Sequence, residues 1–253
     1  KVYDLYTNVN QRKIFSLNPF IVKKKEGREY VTINYFNMFW QFLKKKRTFG
    51  ESKNLLRHIR RNFSEENFRN LQHKVGDVVV TVSNLSKNRV EYKSMHECSY
   101  EDFCEWIWIS CNYIPFMSLA NKNGFEYADG GLGCVVPIRE AIKRGATEVD
   151  AIILEAENME YNKVLGKNPF SLMLNLYSFV LDQVEYHDVI EGKLAALNKN
   201  VKLNIFYTPT KLTENSLVFN KKLMTDWWKQ GYDYAANKVK QDKEAAKNAK
   251  AEV

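Results

Sequence analysis

The residue pattern best suited to chemistry in this sequence is a carboxylate followed by two glycines, Asp129-Gly130-Gly131. It closes the short run Phe125-Glu126-Tyr127-Ala128, which reads as a strand. An acid is thereby expected at the C-terminal end of a strand, where open α/β sheets hold their ligands. Two consecutive glycines permit backbone angles closed to other residues, or let the chain pass close to another group. On spacing alone the tripeptide is more often a tight turn. Other reactive side chains have weaker settings. His58, His73, His96 and His187 are scattered, and none pairs with a cysteine or carboxylate at ligand spacing. Cys111 lies near the Asp129 segment in the expected fold but has no histidine near it in sequence to activate a thiolate. Gly50-Glu51-Ser52-Lys53-Asn54 carries the first half of a Gly-x-Ser-x-Gly nucleophile turn without the second glycine, so Ser52 is the first serine to inspect.

The elements that would position Asp129 are legible on either side. Val78-Val79-Val80-Thr81-Val82 reads as a strand buried on both faces, and Val90-Glu91-Tyr92-Lys93 as its neighbour across the turn Ser86-Lys87-Asn88. Ser99 caps a helix running to Cys111, with Phe103, Trp106, Ile107 and Ser110 on one face. Pro137 opens the next helix and Gly145 ends it, and Val149 to Leu154 is a further buried strand. Upstream, residues 30–72 read as helical in three pieces: the apolar stretch from Tyr35 to Leu43, Glu51 to Arg61, and Ser64 to His73. Downstream come helices near 169–183 and 185–199, a strand Val201–Tyr207, and a helix from about Asn220 whose Lys/Ala-rich end past Asn237 is expected to be frayed or exposed. Strands alternating with helices predict a three-layer α/β/α fold with a mostly parallel central sheet. Residues 1–157 would form the catalytic domain, and 158–253 a helical extension with one strand packed on it.

Composition narrows the class. With 45% apolar and 13% aromatic residues the chain can bury a sizeable core. Four cysteines, Cys98, Cys104, Cys111 and Cys134, with no CxxC pair, argue against both a disulfide framework and a zinc site and suit a reducing compartment. No run approaches the roughly 18 apolar residues of a spanning helix. The net charge of +8 is concentrated at the start: residues 1–75 hold 17 Lys/Arg against 6 Asp/Glu. That asymmetry suits an anionic partner, either a phospholipid surface or nucleic acid, or else a solvated basic face. No nucleic-acid motif accompanies it, which disfavours nucleic acid.

Taken together, Tyr127-Ala128-Asp129-Gly130-Gly131-Leu132-Gly133-Cys134-Val135-Val136-Pro137, then Ala141, Gly145-Ala146 and the strand Val149–Leu154, resembles the patatin-like phospholipase family. Ser110-Cys111-Asn112-Tyr113-Ile114-Pro115 is similar to that family's Ala-Ser-x-x-x-Pro helix end, and residues 77–93 to its strand, turn and strand. The resemblance covers residues 50–157 well, 1–50 loosely and the C-terminal third in outline. It implies a Ser-Asp dyad without metal or cofactor, in which Asp129 takes the proton of a serine during attack on a lipid ester, with Gly130 and Gly131 shaping the site loop.

The sequence departs from the family in two ways. It has no Gly-x-Ser-x-Gly and no Gly-Gly-Gly oxyanion loop, and it carries Cys134 and Val135 where asparagine is common. The nucleophile and oxyanion loop are therefore expected in a segment before Lys1, the chain being read as a fragment or processed product that is inactive alone. The expected partner is a phospholipid or other lipid ester, with contact to an anionic membrane and a cytoplasmic or peripheral location. The alternatives are an inactive patatin-like protein, or a basic module binding anionic lipid or nucleic acid.

Overall fold

The computed structural model describes residues 2–25, 28–74, 76–156, 169–208, 210, 212 and 219–251. Two short helices open it, α1 (Val2–Thr7) and α2 (Gln11–Ile14), the second capped by the side chain of Asn10. Strands β1 (Phe20–Lys25) and β2 (Arg28–Ile33) then pair as an antiparallel hairpin. The helical stretch expected from residue 30 begins only at Tyr35. The β-branched Val31-Thr32-Ile33 end of β2 instead pairs with the apolar Phe20-Ile21-Val22. Helices α3 (Tyr35–Leu43), α4 (Lys53–Asn62) and α5 (Glu65–Lys74) follow at the expected places.

The sheet that carries Asp129 contains β3 (Val79–Asn84), β4 (Arg89–Ser94), β5 (Ala120–Lys122) and β6 (Phe125–Asp129), in the order β4-β3-β6-β5. Every pairing in it is antiparallel, which corrects the expected mostly parallel sheet. The cause is local. Four residues join β3 to β4, and the two-residue turn Asn123-Gly124, both at positive φ, joins β5 to β6. Connections that short can only reverse the chain. Helix α6 (Tyr100–Ser110) packs on this sheet, its first turn capped by Ser99 accepting from Asp102 N. It is buried on both flanks: Phe103 joins a cluster with Phe68 and Met95, while Trp106, Trp108 and Ile109 join Val82 and Tyr127.

Parallel pairing occurs between β7 (Glu148–Ala156) and β8 (Lys202–Thr208). These strands are linked through α8 (Pro169–Lys199), as a parallel pair requires. Helix α7 (Ile138–Lys143) and α8 cover one face of the pair, burying Ile138, Ile142, Ala151, Ile153, Val189 and Ala196. Two helices were expected between 169 and 199, but one runs unbroken, because the stretch around Gln183 contains neither proline nor glycine. The glycine inside α8, Gly192, is there for packing: a Cβ would lie 2.7 Å from Ile138 Cβ. Helix α9 (Lys221–Ala251) continues through the Lys/Ala-rich segment, rich in strong helix formers, and most of the side chains described there are exposed. Among the described residues no helix is long and apolar enough to cross a membrane.

Candidate active site

Three chain segments converge on Asp129. Strand β6 delivers it opposite Val82 of β3. The end of α6 lies beside it, where Asp129 N donates to Asn112 O at 3.1 Å. A tight 3-10 turn, Gly130–Leu132, carries the chain away, with Asp129 as its cap: the carboxylate accepts from Gly131 N at 2.8 Å. Among the described residues this is the only hydrogen bond its side chain receives.

The two glycines are needed for space and not for unusual backbone angles, since neither has a positive φ. A Cβ on Gly130 would sit 2.3 Å from Thr81 O, so the turn can lie against β3 only with glycine there. A Cβ on Gly131 would stand 3.2 Å from Asp129 Oδ1, tight against the carboxylate it hydrogen-bonds.

The cleft over this turn has a volume of about 390 Å³. Val79, Val80 and Thr81 line it from β3, Ile107 and Ser110 from α6, Cys111 from that helix's C-cap, and Cys134 and Val135 from the following loop. Burial pushes the Asp129 carboxyl up to about 6, partly offset by the Gly131 N–H, which favours the charged form. A carboxylate tuned toward neutrality can accept a proton and return it near physiological pH. The same desolvation, with the charge of Asp129, holds the Cys111 thiol up at about 11, so that it stays protonated. Cys111 is exposed as a whole residue, yet a protonated thiol is a poor nucleophile. All four cysteines are free, with Cys104 and Cys134 buried.

Helix α8 supplies residues that the sequence did not reveal. Asp188 accepts from Val135 N at 2.6 Å and Val136 N at 3.1 Å, pinning the loop that leaves the turn. The backbone of this loop is held by a carboxylate 52 residues downstream, and by Gly133 N and Cys134 N donating to Gly130 O. Tyr177 meets Tyr113 edge-on at 4.9 Å, and its buried hydroxyl has no hydrogen-bond partner among the described residues. Burial and the charge of Asp129 both raise the Tyr113 hydroxyl, to about 12.

Ser52 is not in this cleft. It is completely buried at the start of α4, where its Oγ donates to Asn112 Oδ1 at 2.6 Å and accepts from Trp108 Nε1 at 3.1 Å. Gly50 before it is also a packing glycine, since a Cβ would fall 2.4 Å from Phe116 O. The half-motif Gly50-Glu51-Ser52 therefore serves structure: Ser52 braces Asn112, and Asn112 braces the Asp129 backbone. Of the histidines, His58 is lowered by burial and by the cations Lys13 and Arg61, and His96 bonds Gly76 O. Among the described residues, no group of three or more His, Cys, Asp or Glu side chains is arranged to hold a metal ion.

No curated protein matches the chain. The family model for patatin-like phospholipase matches residues 1–142, which takes in β3, β4, α6, the Asp129 turn and α7 almost to its end. A match over more than half of the sequence, spanning the whole cleft floor, assigns the chain to the patatin-like phospholipase family, whose members are lipid hydrolases.

Proposed function

We propose that the protein acts in lipid ester hydrolysis through a Ser-Asp dyad in which Asp129 is the base. The single observation that carries this reading is the state of Asp129: a carboxyl raised to about 6 by burial, oriented by one backbone N–H, at the rim of a cleft. In the reaction, the serine Oγ–H gives its proton to Asp129 as Oγ attacks the ester carbonyl carbon, whose oxygen becomes the oxyanion. The carbonyl reforms as the alcohol leaves, taking the proton from Asp129. Water then attacks the acyl-serine, with Asp129 again accepting and returning a proton.

Ser52 is not the nucleophile of this reading, because it is committed to Asn112 and Trp108. Free thiols throughout suit a reducing compartment, so the reading places the protein in the cytoplasm or peripherally on a membrane. The commitment of Ser52 also supports a second reading, a patatin-like protein that binds lipid without turning it over.

Hydrolysis of a nitrophenyl butyrate and of a phosphatidylcholine by the full product of the gene separates the two. Turnover abolished by a serine-directed fluorophosphonate supports the dyad. Binding to lipid with no turnover selects the second reading.

A further inference from the structure

Helix α3 is built inside out. Its buried side is polar: Gln41, 4% exposed, donates to Thr48 O at 3.5 Å, and Asn37 Nδ2 donates to Asn18 O at 3.0 Å. Its solvent side is aromatic and aliphatic: Phe36 is 69% exposed, Phe39 58%, Trp40 46% and Phe42 76%, with Tyr35 and Leu43 also exposed. A surface helix ordinarily does the reverse. The inversion is not a failure of local folding. Asn34 caps the helix by accepting from Asn37 N, and Lys46 N closes its end on Gln41 O.

The six exposed apolar side chains are followed at once by Lys44-Lys45-Lys46-Arg47. Arg47 pairs with Glu126 and Lys46 approaches Glu51 at 3.9 Å, whereas Lys44 and Lys45 carry no ion pair among the described residues. The charge left over is therefore two ammonium groups beside an aromatic face.

We infer that α3 is a membrane-docking helix: it lies in the plane of an anionic phospholipid surface, with Phe36, Phe39, Trp40 and Phe42 entering the acyl boundary and Lys44 and Lys45 meeting the phosphates. Interfacial helices combine these features, with aromatic rings at the headgroup level and lysine ammonium groups reaching up to anionic lipid. A protein partner fits less well. Protein interfaces favour Trp, Tyr and Phe too, but are depleted in lysine. The basic excess of residues 1–75 points the same way. The inference adds a partner surface to the lipid-hydrolase reading without depending on Asp129, and its test measures binding only.

The 253-residue chain is sedimented with vesicles of 70% phosphatidylcholine and 30% phosphatidylglycerol over a range of salt. Binding is expected to weaken with rising salt. Lys44→Gln with Lys45→Gln should lower the partition coefficient on the order of 30-fold at low ionic strength, from roughly fivefold per charge near the surface. Phe36→Ser, Phe39→Ser and Phe42→Ser together should abolish binding while leaving the circular dichroism spectrum and melting temperature within a few degrees of the parent, since these side chains are exposed. Each single serine variant should lower partition in proportion, which keeps the test decisive if the triple variant misfolds. Unchanged partition in the serine variants overturns the inference. So does a parent that ignores the vesicles but self-associates through this face, with dissociation in the serine variants. Failure of hydrolysis in the full product, with vesicle binding intact, would leave the docking surface standing and remove the dyad.

Discussion

Gly130 lies so close to Thr81 that a Cβ would stand 2.3 Å from the Thr81 carbonyl oxygen. The site turn is thus pressed onto β3 by backbone contact, and the two glycines have separable duties. Gly130→Ala should destabilise the fold by about 2 kcal/mol or more, as overpacking against backbone does. Gly131→Ala should cost less stability, because its contact is with the Asp129 side chain at 3.2 Å, and should chiefly displace the carboxylate. Urea melts of both variants check the order. A Gly130→Ala protein as stable as the parent would contradict it.

The buried pair Ser52 and Asn112 predicts a stability effect without a chemical one. Ser52→Ala removes the donor to Asn112 Oδ1 in a site where Asn112 Nδ2 has no partner among the described residues. Leaving a buried amide oxygen unpaired costs about 1–3 kcal/mol. The melting temperature should fall, whereas the rate per folded molecule of the active form should hold. Loss of all turnover in a folded Ser52→Ala protein would make Ser52 the nucleophile.

Asp188 holds the loop after the turn through two backbone N–H groups, at Val135 and Val136. Asp188→Ala should expose both amides, raising their hydrogen-exchange rates and lowering stability by about 1–3 kcal/mol. Asp188→Asn keeps an acceptor oxygen and should retain most of the protection. Equal exchange in the parent and Asp188→Ala would mean that α8 does not tie down the loop.

The raised carboxyl of Asp129 has a signed consequence for stability. A folded-state value of about 6, above the ordinary 3.8, means that the folded protein binds this proton more tightly than the unfolded chain does. The associated stability is complete below about pH 4 and is lost as pH rises through about 6. Asp129→Asn removes the burden of a buried charge and can still accept from Gly131 N. Above pH 7 the variant should be more stable than the parent by about 1–3 kcal/mol, and near pH 4 the two should converge. Chemical denaturation at pH 4, 6 and 8 reads the difference, and a gap of the same size at all three values would show an unshifted carboxyl.

Much of the site's frame was legible because its signals are local. The valine run became β3, Ser99 caps α6, and the chain turns at Asp129-Gly130-Gly131 where strand β6 ends. What was missed depends on distant partners or on strand direction. Strand direction in a hairpin follows from loop length, and the turn Ser86-Lys87-Asn88 read between β3 and β4 already requires an antiparallel pair; the βαβ pattern around it suggested otherwise. The β1–β2 hairpin was hidden by its lysines, which occupy a strand without alternating cleanly. Asn112 and Asp188 are ordinary polar residues in sequence, and only the tertiary contacts with Ser52, Val135 and Val136 give them roles. A carboxylate on a helix that lies 52 residues beyond the loop it pins leaves no pattern in one chain.

Whether Asp129 is the base of an acyl-transfer site is decided by the turnover of Asp129→Asn in the full product of the gene. Asparagine fills the same space and keeps the Gly131 hydrogen bond but cannot accept the serine proton. With the fold verified by circular dichroism, kcat for a short-chain nitrophenyl ester should fall by roughly 10²- to 10⁴-fold, the usual contribution of a general base. A folded Asp129→Asn enzyme with the parent's kcat would contradict the account.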